Sequence, residues 1–333
     1  MSRRNPYFDP AKYHHQPNGF RNPPGSPPGH RLSIELAREA AHFLGEIRRL
    51  VGDYPFPAEH VIPEQDALQL LANTRVSRKI TWLGHACFLI HIGGRVLLTD
   101  PYLTDYASPL PVRTTKRLVP AAISIRNLPA VDTILISHNH YDHLDTPALR
   151  QLAQRFPHAL VCVPLGLRDL VREQGFTDVV ELDWYDVHRD DGLTVTAVPA
   201  VHASRRGVGD TNRTLWCGFY LQAENFTIYF AGDTAYGAVF REIGTRLGPC
   251  DLGLVPIGAY QPRVLMAPVH ATPEEAVQIG EDLQARRLIG MHWGTIRLTT
   301  EPMLEPPQRF LAAESRIPRQ VLRIGETLAL AET

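Results

Sequence analysis

Six residues near the middle of the chain carry four potential metal ligands, and they constrain the fold more than any other segment. The stretch ILISHNHYDHLD places His138, His140, Asp142 and His143 directly after an apolar run. Side chains at i and i+2 on a strand point to the same side, and the turn that follows brings Asp142 and His143 to a neighbouring point. Histidine is the commonest metal ligand in proteins. The spacing therefore predicts a metal site at a strand end, with ligands for two adjacent ions.

The ligands of two metal ions cannot all come from this loop, because a catalytic zinc ion usually takes about three protein ligands and a water molecule. Three further candidates each follow a later apolar run: His202 after LTVTAVPAV, Asp233 after FTIYFAG and His292 after RRLIGM. A single His or Asp at a strand end is commonly a turn or cap residue. In combination with the first loop, these three residues predict a centre of seven ligands.

The chain from about residue 79 onward alternates short apolar runs with Gly and Asp. ITWLGHACFLIHIGGRVLLTDPYL predicts three strands, with Gly93 and Gly94 in a hairpin turn. Strands are predicted near 80–83, 86–92, 95–99, 133–136, 159–163, 193–198, 215–222, 226–231, 252–255 and 287–291, and helices near 146–156, 165–174, 236–247 and 273–286. Hairpins interleaved with helices predict an α/β fold with two sheets face to face and helices outside, a four-layer αββα sandwich.

The N-terminal region has a different composition. Residues 1–30 are rich in Pro, Gly, Asn and His, which predicts an extended arm or a wrapping loop. From Ser33 to Leu50 apolar residues recur at helical spacing and predict an amphipathic helix capped by Ser33. We expect its apolar face to pack on the main domain, with contact at a membrane surface as the alternative. The predicted organisation is an arm and helix over 1–78 and a catalytic domain over 79–333.

Charge and cysteine content disfavour several classes of protein. Lys and Arg number 34 against 35 Asp and Glu, so the net charge of -1 indicates no nucleic-acid partner. The four cysteines are scattered without a CxxC pair, which argues against a disulfide framework and thiolate zinc. Neither a signal peptide nor a run of about 18 uncharged apolar residues is visible. We expect a cytoplasmic protein, with peripheral membrane association left open.

The HxHxDH loop, with a later His, a later Asp and a last His, resembles the metallo-β-lactamase superfamily from about Lys79 to the C-terminal region. The resemblance implies the αββα sandwich of that superfamily. Longer ordered segments resemble the family of phospholipases D that hydrolyse N-acyl-phosphatidylethanolamine: WLGHACFLI, LTDPYL, SHNHYDHLD, ELDWY, FAGDTAYGAVFREIG, PIGAYQPR, HATPEEAVQI and MHWGT. The N-terminal portion matches only in short pieces such as FRNP.

This resemblance implies two Zn²⁺ ions and divides the seven ligands between them. One ion would be held by His138, His140 and His202, the second by Asp142, His143 and His292, with Asp233 as a bridge. It also implies that Asp142 orients the attacking hydroxide. The ligand types themselves leave zinc, iron and manganese open.

Four residues near the predicted centre are candidates for supporting roles. His270, in VHATPEEA, matches a family position near the substrate, which implies phosphate contact or protonation of the leaving group. The alternative for His270 is a structural role ahead of the helix that begins near Thr272. His85 is expected to form a hydrogen bond to a ligand. Tyr260 and Arg263, in GAYQPR, are candidate substrate contacts, although an ordinary surface loop would also carry them.

The implied activity is a di-zinc phosphodiesterase that hydrolyses N-acyl-phosphatidylethanolamine-like phospholipids to phosphatidic acid and N-acylethanolamine. The same centre supports hydrolysis of another ester, lactone, lactam or phosphodiester, which stays the alternative. Nuclease activity is disfavoured by the charge balance and a non-catalytic scaffold by the intact ligand set. A di-iron oxygen-reducing relative would need a carboxylate where this chain has His140. We expect a phospholipid substrate and leave a homodimer open.

Overall fold

The computed structural model describes residues 4–29, 33–50, 52 and 54–330. Residues 1–3 and 30 of the predicted arm lie outside the described residues. Two seven-stranded sheets and a two-stranded hairpin account for the β-structure of the described residues. The hairpin lies within the arm and consists of β1 (His15–Gln16) and β2 (Gly19–Phe20).

The first large sheet has an antiparallel half and a parallel half. In spatial order the strands are β16 (Thr327–Ala329), β3 (Lys79–Gly84), β4 (Cys87–Ile92), β5 (Arg95–Thr99), β6 (Thr133–Leu135), β7 (Leu160–Pro164) and β8 (Val179–Leu182). In this order, neighbouring strands from β16 to β5 run antiparallel, and those from β5 to β8 run parallel.

The second sheet repeats this division. In spatial order its strands are β9 (Val187–Asp190), β10 (Leu193–Val198), β11 (Gly218–Ala223), β12 (Phe226–Phe230), β13 (Leu252–Pro256), β14 (Leu288–Met291) and β15 (Arg319–Val321). Neighbouring strands from β9 to β12 pair antiparallel, and those from β12 to β15 pair parallel.

Helices cover the outer faces of both sheets. The helices are α1 (Ile34–Arg49), α2 (Glu64–Asn73), α3 (Thr146–Arg155), α4 (Arg168–Arg172), α5 (Val239–Leu247), α6 (Arg263–Met266), α7 (Pro273–Asp282) and α8 (Glu305–Ala312). On the first sheet α2 contacts β16 and α4 contacts β8, while on the second α7 contacts β13 and α8 contacts β15. Among the described residues, no helix has both the length and the apolar composition needed to cross a membrane.

The core explains why the central strands are almost wholly apolar. All residues of β7 and of β13 are buried, because one face of each sheet packs on the other sheet and the second face packs on helices. Side chains of both sheets belong to one buried hydrophobic cluster. The predicted αββα sandwich is therefore confirmed.

Every predicted strand overlaps an observed one, and the four helices predicted after residue 79 are present. The helix predicted over 165–174 is shorter, Arg168–Arg172, because Gly166 and Gly175 adopt φ of 93° and 112° at its two ends. Strands β1, β2, β8, β9, β15 and β16 and helices α2, α6 and α8 were not predicted.

Helix α1 begins where its sequence predicts, since the Ser33 side chain accepts a hydrogen bond from the backbone N–H of Leu36. The proposed boundary at residue 78 stays a prediction. Helix α2 lies before that boundary, yet its Ala67 and Leu71 belong to the buried cluster shared with the sheets. Residues near 60–75 thus pack as part of the sandwich.

Candidate metal centre

The seven predicted ligands lie at one edge of the sandwich, where strands of both sheets end. The HxHxDH loop follows β6, His202 follows β10, Asp233 follows β12 and His292 follows β14. Strands β12, β13 and β14 are parallel, and β10 runs in the same direction because β11 between β10 and β12 is antiparallel to both. The carboxyl ends of such strands meet at the same edge of a sheet, which is the usual place for a site in an α/β fold.

The two sheets approach each other closely where the ligands leave them. Gly232 precedes Asp233 with φ 59°, and a Cβ atom there would lie 2.5 Å from the Cβ of Ser137, the neighbour of His138. Glycine fits this approach and adopts the left-handed conformation without strain. A side chain at position 232 would push Asp233 away from His138.

The first ligand group consists of His138, His140, His202 and Asp233. The Nδ1 of His140 lies 2.8 Å from His138 Nε2 and 3.2 Å from His202 Nε2. The Oδ2 of Asp233 lies 3.9 Å from His138 Nε2 and 3.7 Å from His202 Nε2. Ligand atoms around a tetrahedral zinc ion stand about 3.3 Å apart. The spacing of these four atoms therefore fits one ion.

The second ligand group consists of Asp142, His143 and His292. The Oδ2 of Asp142 lies 3.6 Å from His143 Nε2 and 3.7 Å from His292 Nε2, and these two nitrogens are 3.3 Å apart. Asp233 also reaches this group, with Oδ2 3.2 Å from His143 Nε2 and Oδ1 3.0 Å from His292 Nε2. Asp233 is thus placed to contact two ions.

Hydrogen bonds on the far side of three rings aim their other nitrogens at the centre. His202 Nδ1 donates to a backbone carbonyl at 2.8 Å, and His143 Nδ1 donates to Asp100 Oδ2 at 2.6 Å. Ser137 Oγ donates to Asp100 at 2.6 Å and therefore accepts from His138 Nδ1 at 2.9 Å. A neutral ring that donates through Nδ1 carries its lone pair on Nε2. In the neutral form that binds a metal, all three rings therefore direct their Nε2 lone pairs at the centre.

Burial keeps the first group in the form that binds a metal. It lowers the pKa of His138 well below its ordinary value, that of His140 to about 4 and that of His202 to about 3. Burial acts in this direction because it disfavours the charged ring. These three rings are neutral at neutral pH, as metal ligation requires.

The second group pairs buried carboxylates with histidines. Burial alone would raise the pKa of Asp142 and of Asp233, but the adjacent His143 and His292 outweigh it and lower both. Burial would lower the pKa of His292, which Asp233 and Asp142 instead raise to about 9. Asp233 Oδ1 lies 3.0 Å from His292 Nε2, but no group among the described residues forms a well-directed hydrogen bond with it. A buried carboxylate needs well-placed partners, and the donor set of nitrogen and carboxylate oxygen fits a divalent metal ion.

A comparison with known families decides the assignment of the fold. A family model described as a beta-lactamase superfamily domain matches residues 95–293, the range that contains all seven candidate ligands. The chain belongs to the beta-lactamase superfamily.

Curated relatives match most of the chain. N-acyl-phosphatidylethanolamine-hydrolyzing phospholipase D 1 of Caenorhabditis elegans is 35% identical over 89% of this chain and 85% of its own length. The enzyme of Saccharomyces cerevisiae named mitochondrial N-acyl-phosphatidylethanolamine-hydrolyzing phospholipase D is 37% identical over 69% of this chain and 50% of its own. A UPF0173 metal-dependent hydrolase of Rubrobacter xylanophilus is 34% identical over 78% and 98%. This superfamily member is a metal-dependent hydrolase with relatives of phospholipase D type.

A solved structure agrees with this assignment at the level of the fold. The metallo hydrolase Igni18 of the archaeon Ignicoccus hospitalis superposes with a TM-score of 0.58 at 20% identity, over 77% of this chain and 99% of that one. Identity at this level shows the fold alone, and that fold is the metallo-β-lactamase sandwich.

The structure places His85, the predicted supporting residue, against the second ligand group. His85 Nε2 lies 2.9 Å from Asp142 Oδ2, and the carbonyl of His85 accepts a hydrogen bond from the N–H of His292 at 3.0 Å. Both histidines adopt positive φ, 55° and 64°. Such backbone costs free energy in a residue other than glycine and is concentrated at functional sites. His85 thus contacts two candidate ligands of the superfamily centre.

His270 lies beside both ligand groups. Its ring centroid is 5.2 Å from that of His202 and 5.5 Å from that of His292. Its Nδ1 is buried and has no hydrogen-bond partner among the described residues. Burial lowers its pKa to about 3. The ring is therefore positioned to contact a molecule bound at the centre, and its predicted role stays a prediction.

Tyr260 and Arg263 are engaged by other protein groups. The buried Tyr260 donates its hydroxyl hydrogen to Glu305 at 2.6 Å. Arg263 donates to the carbonyl of His270 at 2.8 Å and pairs with Glu275 at 3.1 Å. The substrate contacts expected of both stay predictions. The geometry gives Arg263 a different contribution, since it holds the backbone of His270.

One carboxylate that orients this centre was missed by sequence reasoning. Asp100, fully buried, ends the LTD run after β5 and accepts hydrogen bonds from Ser137 and His143. Its strand β5 is parallel to β6, so both strands end at the same edge. An Asp at the end of an apolar strand was therefore a usable signal.

Proposed function

We propose that this chain is a di-zinc phosphodiesterase of phospholipase D type that hydrolyses N-acyl-phosphatidylethanolamine-like phospholipids. The products are phosphatidic acid and N-acylethanolamine. The observation that carries the proposal is the pair of ligand groups that share Asp233, in a chain 35% identical over most of its length to a protein named for this reaction. A two-ion site suits phosphodiester hydrolysis because it can stabilise both the attacking and the leaving oxygen.

The proposed ligands follow the two groups described above. One ion would be held by His138, His140 and His202, and the other by Asp142, His143 and His292, with Asp233 close to both groups. When bound, the ions supply Lewis-acid chemistry, because they lower the pKa of a water molecule and neutralise charge on phosphate oxygens.

Residues of the chain orient the reacting groups. Asp142, held by His85, accepts a hydrogen bond from the attacking water and so fixes its direction. His270, beside both ligand groups, donates an N–H to a phosphate oxygen or to the leaving oxygen. The oxygen of water forms the new bond to phosphorus. The bond from phosphorus to the ethanolamine oxygen breaks, and a proton from water ends on that oxygen.

A second candidate function is hydrolysis of another ester, lactone or phosphodiester. It is supported by the Rubrobacter xylanophilus relative, whose name gives metal-dependent hydrolysis without a substrate. The preference for zinc over iron or manganese, peripheral membrane contact and a homodimer stay predictions.

The test combines metal analysis with a substrate panel. Metal content is measured on the purified protein, and turnover is measured with N-acyl-phosphatidylethanolamine, bis-p-nitrophenyl phosphate, a lactone and nitrocefin. The variants are Asp142→Asn and His292→Ala, with the exposed Asp169→Asn and His158→Ala as matched controls. We expect phosphodiester turnover to fall at least about 100-fold in the first pair, because loss of a ligand or its support weakens the metal site.

The outcomes separate the candidate functions. Phosphodiester turnover that is lost only in the first pair supports the proposal. Lactone or nitrocefin turnover without phosphodiester turnover favours the second candidate. Two equivalents of metal with no turnover of any substrate would overturn both.

A further inference from the structure

The side chain of Asn22, in the FRNP segment, connects the N-terminal arm to the candidate metal centre. Asn22 Oδ1 accepts a hydrogen bond from the backbone N–H of His202 at 2.9 Å and another from Trp216 Nε1 at 3.1 Å. His202 and Trp216 are both buried. Asn22 is 180 residues from His202 in the chain. The tertiary fold, and not the local chain, therefore brings this acceptor to a candidate metal ligand.

The segment around His202 is held from three directions. The N–H of Val201 donates to the hydroxyl of Thr234 at 2.9 Å, which ties it to the neighbour of Asp233. The ring of His202 is held through Nδ1 by the carbonyl of Val269. Among the described residues, Asn22 is the acceptor that the structure gives to the N–H of His202. A buried N–H that loses its acceptor is unfavourable, so the backbone would shift and carry the ring with it.

A buried cluster fixes the other part of the arm. Asp183, in the ELDWY segment, is 2% exposed. Its carboxylate accepts hydrogen bonds from Lys12 Nζ at 2.6 Å, His14 Nε2 at 2.6 Å and His15 Nε2 at 2.9 Å. A buried ionised carboxylate is stable only with partners of this kind. We call Lys12, His14, His15 and Asp183 the arm latch.

Backbone hydrogen bonds connect the arm latch to Asn22. The N–H of Arg21 donates to the carbonyl of His14 at 2.9 Å, and the N–H of Phe20 donates to the carbonyl of Asn212 at 2.8 Å. Phe20 is buried in the main hydrophobic cluster. Asn22 is therefore presented to His202 by a segment that is anchored on both sides of the hairpin β1–β2.

The arm latch is a hydrogen-bonded cluster and not a third metal site. Its two imidazoles and one carboxylate offer ligand atoms within 4.8 Å of one another. His15 Nδ1, however, accepts a hydrogen bond from the N–H of Asp9 at 3.1 Å, so Nε2 carries the hydrogen that it donates to Asp183. The ammonium of Lys12 already occupies the same carboxylate oxygen and would repel a metal cation.

We propose that Asn22 is a positioning residue for His202 and thereby sets the affinity of the ion that His138, His140 and His202 hold. The arm acts through His202, since its contact is with the backbone of that residue. The proposal rests on the ligand role proposed above for His202, but not on the identity of the substrate. It assigns a part in the metal centre to the FRNP segment, which lies outside the matched superfamily domain.

The test measures metal binding in variants that differ at the acceptor atom. Asn22→Leu removes the acceptor while it keeps the same branched arrangement of side-chain heavy atoms, Asn22→Asp keeps an oxygen at the same position, and Asn22→Gln displaces it by one methylene. Asn73→Leu, on the exposed face of α2, is the control. Affinity is measured by competition with a zinc chelator, and geometry is measured from the visible absorption of the cobalt-substituted protein.

We expect Asn22→Leu to bind one of its two ions about 10- to 100-fold more weakly, as is usual when an outer partner of a ligand is lost, and to change the cobalt spectrum. Asn22→Asp should restore both, and Asn73→Leu should match the wild type. If Asn22→Leu does not fold, Asn22→Gln carries the test with a smaller loss in the same direction. Wild-type affinity and spectrum in Asn22→Leu, or in Asn22→Gln in that case, would overturn the proposal, as would a failure of Asn22→Asp to restore them.

A further variant separates this proposal from the proposed function. His202→Ala should lose the same ion. If it retains both ions at wild-type affinity, the ligand role of His202 fails and the role of Asn22 fails with it. Absence of phospholipid turnover with normal metal binding would overturn the substrate assignment and leave the role of Asn22 standing.

Discussion

The N-terminal arm and helix α1 are neighbours in the chain, but the rest of the protein covers them very differently. The arm is rich in Pro and Gly, which predicts a loop, yet Asn5, His14, His15 and Phe20 are buried. The two histidines are held in place by hydrogen bonds from their rings to the buried carboxylate of Asp183. A segment with only a short hairpin of regular structure can thus be more firmly held than a helix.

Helix α1 shows the opposite behaviour. Its sequence predicts an apolar face, but only Ile47 is buried, at 8% exposure, while Ile34 and Leu44 are 69% and 54% exposed. Its apolar residues form two stripes. Leu36, Ala40, Phe43 and Ile47 are half-buried or buried, whereas Ile34, Ala37, Ala41 and Leu44 form an exposed stripe. The helix contacts α6. Helical periodicity tells which face is apolar, but it does not tell whether the domain supplies a partner for the whole face.

The largest effect is expected from the arm latch. Asp183→Asn should lower the free energy of unfolding by about 3 kcal/mol, because removing one member of a buried ion pair leaves the other groups uncompensated. Asp190→Asn is the control, since Asp190 is 41% exposed and pairs with Arg95 at the surface; its loss should cost less than about 1 kcal/mol. Urea unfolding measures both. Equal losses would remove the contrast between the arm and an ordinary surface pair.

The free energy of unfolding that the arm latch contributes should depend on pH. Burial alone would raise the pKa of Asp183, but hydrogen bonds from His14 and Lys12 outweigh it and lower the pKa below the unfolded value of about 3.9. A lowered pKa gives stability that is fully present above that value and is lost as the pH falls below it. The difference in unfolding free energy between the wild type and Asp183→Asn should shrink from pH 5 to pH 2. A constant difference would contradict the ionised state of this carboxyl group.

The smallest effect is expected on the exposed stripe of α1. Ile34→Ser and Leu44→Ser should each change the free energy of unfolding by less than about 0.5 kcal/mol, whereas Ile47→Ala should lower it by about 2 kcal/mol. Thermal or urea unfolding measures the three variants together. A loss of unfolding free energy at Ile34 as large as that at Ile47 would show that the exposed stripe is covered in solution.

The sequence predicted where the candidate ligands lie because each of them follows an apolar strand, and parallel strands bring their carboxyl ends to one edge. His202, Asp233 and His292 are brought together for this reason, although up to 154 positions separate His138 from the last of them. The division between the two groups required the family resemblance, since spacing alone does not say which ring nitrogen faces which ion. The αββα layers followed from the same alternation of strands and helices.

Other features depend on partners that periodicity does not reveal. Strand β9 has a burial pattern of exposed and half-buried residues, and β16 is only Thr327–Ala329, so neither carries a strong apolar run. Helix α8 begins with Glu305 and two prolines, which obscure its helical pattern. Asn22 lies in a segment whose sequence predicts a loop. Only the three-dimensional structure shows that its side chain accepts a hydrogen bond from His202.

The contact between Asn22 and His202 also bears on the order in which the enzyme assembles during synthesis. The centre draws on residues from Asn22 to His292, so a growing chain cannot present a complete set of donors until the last of these has left the ribosome. Asn22 must wait for partners that are translated much later, a long-range pairing of the kind that slows folding. Binding of both ions at the proposed centre would therefore have to follow the translation of His292.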